Sequence, residues 1–548
     1  MTILRHDLLD TITPGIEVPT SFGACLNARG LYNSLQFVLR LSPVVHRLVD
    51  DVVSGSNRSW EGFQAYSTYV HETVHWWQHV GSTLGLVVSM SFPAQSHSNI
   101  DHLRFLGASG KLHKSIKAWA DAELRNGRDH SDGDINNANV AVNNALDIEF
   151  FKALILRPDL IHEFADSPYF LSVGHSFHVA YGAVLGLLST TCDTEVAHLP
   201  DPRVWSEEFA ALGANQVEGY YPGSPIGRPP VGLLAILEGQ ARFIQLQFLS
   251  FANEEHLAIS DLRTDGYLSG VYTDAFDWFL RLTKSEPPET VHDPLVGLFL
   301  LICDLSINPM RGFPLQIEKY DRFITDVDPG IRFYSLCMAV QGMPTLKNAI
   351  REYSRSEYEE AAGLLAAACG FDHPFRGLEE VSAWALDAPG IAEILAEKES
   401  FRFEIGNLPI RVIFSHFVSF SIDKLARPEF FCWAGAHMVG ERATDEILAL
   451  WLQNLSLFSD KEDDDGVFPR DFPNRDREAV DATFNGFYAN NVMYDLTRQW
   501  ILQDGPFQYD FGWLSRRHAS DEMAGWAKEL FSKLYGISPD AIQTGSTP

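Results

Sequence analysis

Apolar residues recur at three- and four-residue spacing along most of this chain. That period predicts helices over 60–80, 137–155, 176–190, 230–251, 355–368, 443–457, 477–502 and 521–534. The first carries its own end signals: Ser59 is placed to cap it, Glu61 lies near its positive end, and Gly81 can close it. Strand patterns are fewer. Alternation in LQFVLRL (35–41) sets Leu35, Phe37, Leu39 and Leu41 on one side. FRFEI (401–405) and RVIFSHFVSFSI (411–422) are rich in aromatic and β-branched residues and read as further strands. The expected fold class is mainly α with a small β-sheet (α+β).

Two segments break the pattern. KSEPPETVHDP (284–294) has X-Pro steps that resist a continuous helix, and SDKEDDDGVFPRDFPNRD (459–476) reads as an exposed acidic loop. The chain is accordingly divided into a region 1–284 and a mainly helical C-terminal region 295–548.

Composition agrees with a well-buried protein of more than one lobe: 548 residues, 46% hydrophobic and 12% aromatic. The formal charge of −30 and the lack of any Lys/Arg-rich stretch argue against a nucleic-acid partner. Cys25, Cys192, Cys303, Cys337, Cys369 and Cys432 are scattered without a CxxC pair, which suits free thiols in a reducing compartment. The first residues, MTILRHDLLDTITPGIEVP, place acids and a proline where a signal peptide needs an apolar run. No stretch reaches the ~18–20 apolar residues that span a bilayer. A cytoplasmic protein with no membrane partner is expected.

One segment carries chemistry. In YSTYVHETVHWWQHVGS, His71 and His75 stand four apart, so in a helix their rings share a face and can grip one cation. Glu72, rotated by about 100°, can reach a water on that cation without being a ligand. The surrounding Val70, Val74, Trp76, Trp77 and Val80 imply burial, and burying two imidazoles and a carboxylate is costly unless a cation compensates. A solvated polar stripe is the plainer alternative. His79 continues the face as a core or outer-shell histidine, and Gln78 is either a hydrogen-bonding neighbour of the site or structural.

HETVHWWQH resembles the active-site helix of the zincin metallopeptidases. In their glutamate-ligand branch, the gluzincins, a downstream helix supplies the third ligand, often as EGxA. Glu238-Gly239-Gln240-Ala241, in LLAILEGQARFIQ, is similar to that form. The resemblance covers these two helices. It implies a zincin-like metal-binding catalytic region in 1–284, one Zn2+ held by His71, His75 and Glu238, Glu72 as general base, and a peptide or protein substrate. The long stretch between His75 and Glu238 then requires a large helical insertion.

On residues alone, other readings stand. Glu238 could pair with Arg242 at i+4. Glu149 is a rival ligand nearer in sequence, though Lys152 can neutralise it, and Asp147 is a remoter one. Tyr220, Tyr221, His175, His178 and Arg242 are available as the second electrophile that a tetrahedral oxyanion needs. Glu72-Thr73-Val74-His75 recurs as Glu289-Thr290-Val291-His292, so a di-iron carboxylate oxidase is a second hypothesis. The prolines flanking the second copy oppose it. A non-catalytic scaffold of the same shape is a third.

Overall fold

The computed structural model describes residues 30–225, 227–252, 257–472, 475–515 and 517–544. They form a mainly helical protein with a small four-stranded sheet. The sheet runs β1 (Gly30–Asn33), β2 (Val38–Leu41), β3 (Phe458–Lys461) and β4 (Asp464–Pro469). β1 pairs antiparallel with β2, β2 parallel with β3 through Val38↔Phe458, and β3 antiparallel with β4. The expected regions 1–284 and 295–548 thus share one sheet, and they share one continuous apolar core reaching from Tyr32 to Ile542.

Helix α1 (Trp60–Val80) lies at the centre of this arrangement. Ser59 accepts the Gly62 N–H at 3.2 Å, Glu61 lies in the first turn, and Gly81 N–H returns to Trp77 O at 2.7 Å. Every side chain from Thr68 onward is buried, so tertiary packing holds this helix more than its own propensity does. Trp77 meets Phe420, Phe430, Phe431 and Trp451 at 5.2–6.1 Å between centroids, and its Nε1–H donates to Asn454 O at 2.8 Å. The C-terminal half therefore forms one wall around α1.

Helix α2 (Thr83–His97) follows after a two-residue turn capped by Ser82, which accepts the Gly85 N–H. A methyl group on Gly85 would sit 1.8 Å from Gln78 O. Gly85→Ala is therefore expected to lower stability by about 1–3 kcal/mol as the two helices are forced apart. Urea unfolding measures this, and an unchanged midpoint would contradict the packing account.

Several strand and loop expectations are corrected. The aromatic run 411–422 lies inside a helix, Leu408–Ala426, which is buried from Leu408 through Phe420 on nearly every face. A helix covered all round loses the amphipathic period, and β-branched residues then mimic a strand. FRFEI forms no strand; Phe401 sits at φ 52° as the left-handed cap of a preceding helix. Of 35–41 only Val38–Leu41 is strand, after a turn in which Asn33 Oδ1 accepts the Leu35 and Gln36 N–H groups. The helix expected over 443–457 is confined to Asp445–Gln453.

The acidic loop at 459–476 begins instead as the β3–β4 hairpin. Its buried Asp460 carboxylate accepts from Leu41 N at 3.1 Å and faces His46 Nε2 at 2.7 Å, while Arg40 donates to the backbone carbonyls of Asp465 and Trp513. The other predicted helices are present, including Gly133–Leu156, Val173–Cys192 and Arg477–Leu502.

Cys192, Cys303, Cys337, Cys369 and Cys432 are free thiols, and burial pushes those of Cys303, Cys337 and Cys432 well up from their ordinary value. Cys25 and the N-terminal residues 1–29 lie outside the described residues. Among the described residues, no helix is long and apolar enough to cross a membrane.

Candidate metal centre

The two helices named by the motifs cross at their functional residues. α1 brings His71 and His75; helix α3 (Leu233–Ala252) brings Glu238. His71 Nε2 and His75 Nε2 lie 3.1 Å apart, and Glu238 Oε2 is 3.5 Å from the first and 3.3 Å from the second. The rings meet edge to face at 89° with centroids 4.7 Å apart, so both ring nitrogens point to one spot. These distances can be tested against a metal. Ligand bonds of about 2.0–2.1 Å in a tetrahedron put donor atoms about 3.3 Å apart. The observed triangle matches that spacing, and its mixed imidazole and carboxylate donors suit zinc. His71 is 2% exposed at its side chain, His75 10% and Glu238 23%, so solvent reaches the triangle from the glutamate side.

Burial and mutual contact shift all three groups. Burial pushes the His71 imidazole down to about 3. Burial also acts to lower His75, but Glu238 reverses this and, with smaller help from Glu72, lifts it to about 9. Burial works to raise the Glu238 carboxyl, yet the two imidazoles hold it well below the usual carboxylate range.

A neighbouring layer fixes the ligands. His75 Nδ1 is 2.7 Å from Gln78 Oε1, and Gln78 Nε2 donates to Leu237 O and Gln240 Oε1, both at 2.9 Å. The amide therefore selects the His75 tautomer whose Nε2 lone pair faces the triangle, and ties α1 to the helix bearing Glu238. Of the two options for Gln78, the structure realises the hydrogen bond. Among the described residues His71 Nδ1 has no such partner, which leaves Gln78 as the orienting contact of the pair. Gln78→Leu is expected to weaken metal binding by about 10–100-fold with the fold intact, as for other groups that orient ligands. Competition with a chromogenic chelator reads this, and an unchanged affinity would remove Gln78 from the site.

Glu72 is 3% exposed and stands against β1, where a methyl on Gly30 would come within 2.8 Å of its Cγ and Oε1. Only a glycine lets the strand lie so close to this carboxylate. Sequence patterns gave no hint of that approach, because it joins a strand to a helix through space.

The remaining candidates fall elsewhere. His79 stacks on Tyr32 at 5.5 Å, and burial pushes it down to about 3; it is a core histidine. Glu149 accepts from Arg498 at 2.9 Å and Gln95 at 3.1 Å and pairs with Lys152 at 3.4 Å, outside the triangle. Asp147 accepts from Ser176 Oγ at 3.0 Å and faces His175 at 3.2 Å. His178 stacks on Phe209 at 4.7 Å, and Tyr220 donates to Tyr320 O at 2.9 Å. His175, His178 and Tyr220 are thus committed to these contacts rather than to the triangle. Arg242 lies over the Tyr272 ring at 4.0 Å and donates to Gln245, and Tyr272 in turn faces His71 at 6.0 Å. Tyr272, on helix α4 (Val271–Thr283), was not singled out by the sequence. Gly239 faces this helix and its neighbour Pro294–Ile307 rather than α1: a methyl there would lie 3.6 Å from Ala275 and 3.3 Å from Phe299.

The second ExxH copy is no partner site. His292 Nε2 contacts Ser250 Oγ at 2.5 Å, and Thr290 forms a β-bridge with Ala258 instead of lying in a helix. Among the described residues, the one other trio with metal-like spacing is Glu393, Glu397 and Glu404, and these surround Arg411 at 2.7–3.5 Å. Compared with protein-family models, curated proteins and solved structures, the chain has no match.

Proposed function

We propose that this chain is a zinc-dependent hydrolase and, on the motif resemblance, a peptidase cleaving peptide bonds. The observation that carries the reading is the triangle of His71 Nε2, His75 Nε2 and Glu238 Oε2, whose sides of 3.1, 3.3 and 3.5 Å fit three corners of a zinc tetrahedron. Zinc bound there supplies Lewis acidity and brings a water's pKa towards neutrality. The chain's own residues supply the rest. Glu72, one position along α1 from His71, accepts the proton of the attacking water and returns it to the leaving amine. Gln78 keeps His75 oriented, and Arg242 with Tyr272 forms the wall beside His71 from which an oxyanion can be stabilised. A di-iron site has less support, since His292 is held by Ser250.

Elemental analysis of protein reconstituted with zinc, joined to an assay on a quenched-fluorescence peptide library, tests the reading. One zinc per chain and chelator-sensitive cleavage are expected. Two irons per chain, or a zinc-loaded protein that cleaves no peptide, would overturn it.

A further inference from the structure

A cavity that shares no residue with the metal triangle is lined by more cations than acids, in a chain that is otherwise strongly acidic. Its volume is about 190 Å3, and its walls include Arg311, Lys319, Arg322, Arg332 and Arg376 with the acids Glu318, Asp326 and Asp372. Most of these charges are matched. Arg311 pairs with Asp372 and Glu318, both at 2.7 Å, Arg376 with the same two acids, and Arg322 with Asp326 at 3.3 Å. Two cations are left over. Neither Arg332 nor Lys319 has a carboxylate within 4.0 Å among the described residues.

Arg332 is the telling one, because it is only 5% exposed. Its recorded bonds go to neutral carbonyls: Nε and Nη2 to Leu305 O at 3.3 and 2.7 Å, Nη1 to Asp326 O at 3.0 Å. They use three of the five N–H groups a guanidinium offers, and its plane lies 4.2 Å over Phe371. A desolvated cation with no carboxylate in direct contact is costly, and Asp326 and Asp372 offset that cost only from a distance. Burial accordingly pushes Arg332 down to about 10 and lifts the carboxyl of its nearest acid, Asp326. Lys319 is exposed on the same cavity wall and adds a point charge on the solvent side.

We propose that this cavity binds a phosphate-class dianion, with Arg332 as its buried fork and Lys319 at its mouth. A planar guanidinium matches the spacing of phosphate oxygens, and the ammonium complements it as a freely placed charge. The cavity volume is about 190 Å3. That is more than a bare phosphate displaces, so it suits the phosphate of a small monoester as well as free phosphate.

Isothermal titration of the full chain with inorganic phosphate, and separately with glycerol 3-phosphate, at fixed ionic strength tests this. Saturable one-to-one binding of either is expected. Competition between the two points to an ester headgroup, whereas binding of inorganic phosphate alone points to the free ion; both support the site. Lys319→Glu, at an exposed position that cannot unfold the core, should weaken binding about tenfold, or 1.4 kcal/mol. Arg332→Gln should abolish it while circular dichroism reports the fold. Glu238→Gln should leave it unchanged, which separates this site from the metal reading. Absence of saturable heat with both probes, wild-type affinity in Lys319→Glu, or loss of binding in Glu238→Gln would overturn the proposal.

Discussion

Glu72→Gln is expected to lower peptide turnover by about 10²–10⁴-fold, the range that a positioned general base contributes, while zinc content stays at one per chain. The two side chains have the same shape, so the tight approach of Gly30 to the Glu72 Cγ and Oε1 is preserved and no packing is lost. Only the proton acceptor disappears. The triangle of His71, His75 and Glu238 does not use Glu72, and its sides of 3.1, 3.3 and 3.5 Å stand on other atoms. The effect should therefore fall on kcat with little change in KM. Steady-state kinetics on one cleaved peptide, with metal analysis of the same sample, reads both quantities. Equal turnover in variant and parent would leave a zinc-binding scaffold without hydrolytic chemistry, and loss of zinc would mean that Glu72 is itself a ligand.

What the sequence disclosed follows the range of the interactions involved. Helix α1 was legible in its boundaries and in the shared face of its two imidazoles because its signals are local: Ser59 and Gly81 at the ends, His71 and His75 one turn apart. Glu238 was legible only through the EGQA pattern, since nothing between His75 and Glu238 tells a reader that α3 returns to α1. The sheet was harder. β2 acquires its partner from Phe458, more than four hundred residues away, and the β3–β4 hairpin is acidic because Asp460 is satisfied by His46 and the Leu41 amide. Composition therefore suggested a loop where long-range pairing makes a strand. The helix Leu408–Ala426 misled in the opposite sense, its aromatic and β-branched surface being covered on almost every side. Tyr272 and Gly30 escaped notice because each matters only for what it faces: one beside His71, the other against Glu72.

The choice between Glu238 and Glu149 as third ligand yields the other large effect. Glu238→Gln removes a carboxylate that contacts both imidazoles. The neutral amide cannot offset a divalent charge as a carboxylate does, so zinc affinity should fall by more than the ~10–100-fold typical of groups that merely orient ligands. In the unsubstituted triangle without zinc, Glu238 also lifts His75 to about 9. Without that carboxylate His75 loses the largest of the contacts that raise it, and should hold its proton less tightly. Glu149→Gln provides the contrast. It disturbs the contacts with Arg498, Lys152 and Gln95 and should cost stability, yet leave zinc affinity at the parent value. Zinc titrations against a competing chelator on both variants decide the matter. Parent-like affinity in Glu238→Gln, or a loss confined to Glu149→Gln, would dissolve the triangle as a metal site and with it the assignment of the crossing of α1 and α3 as the catalytic centre.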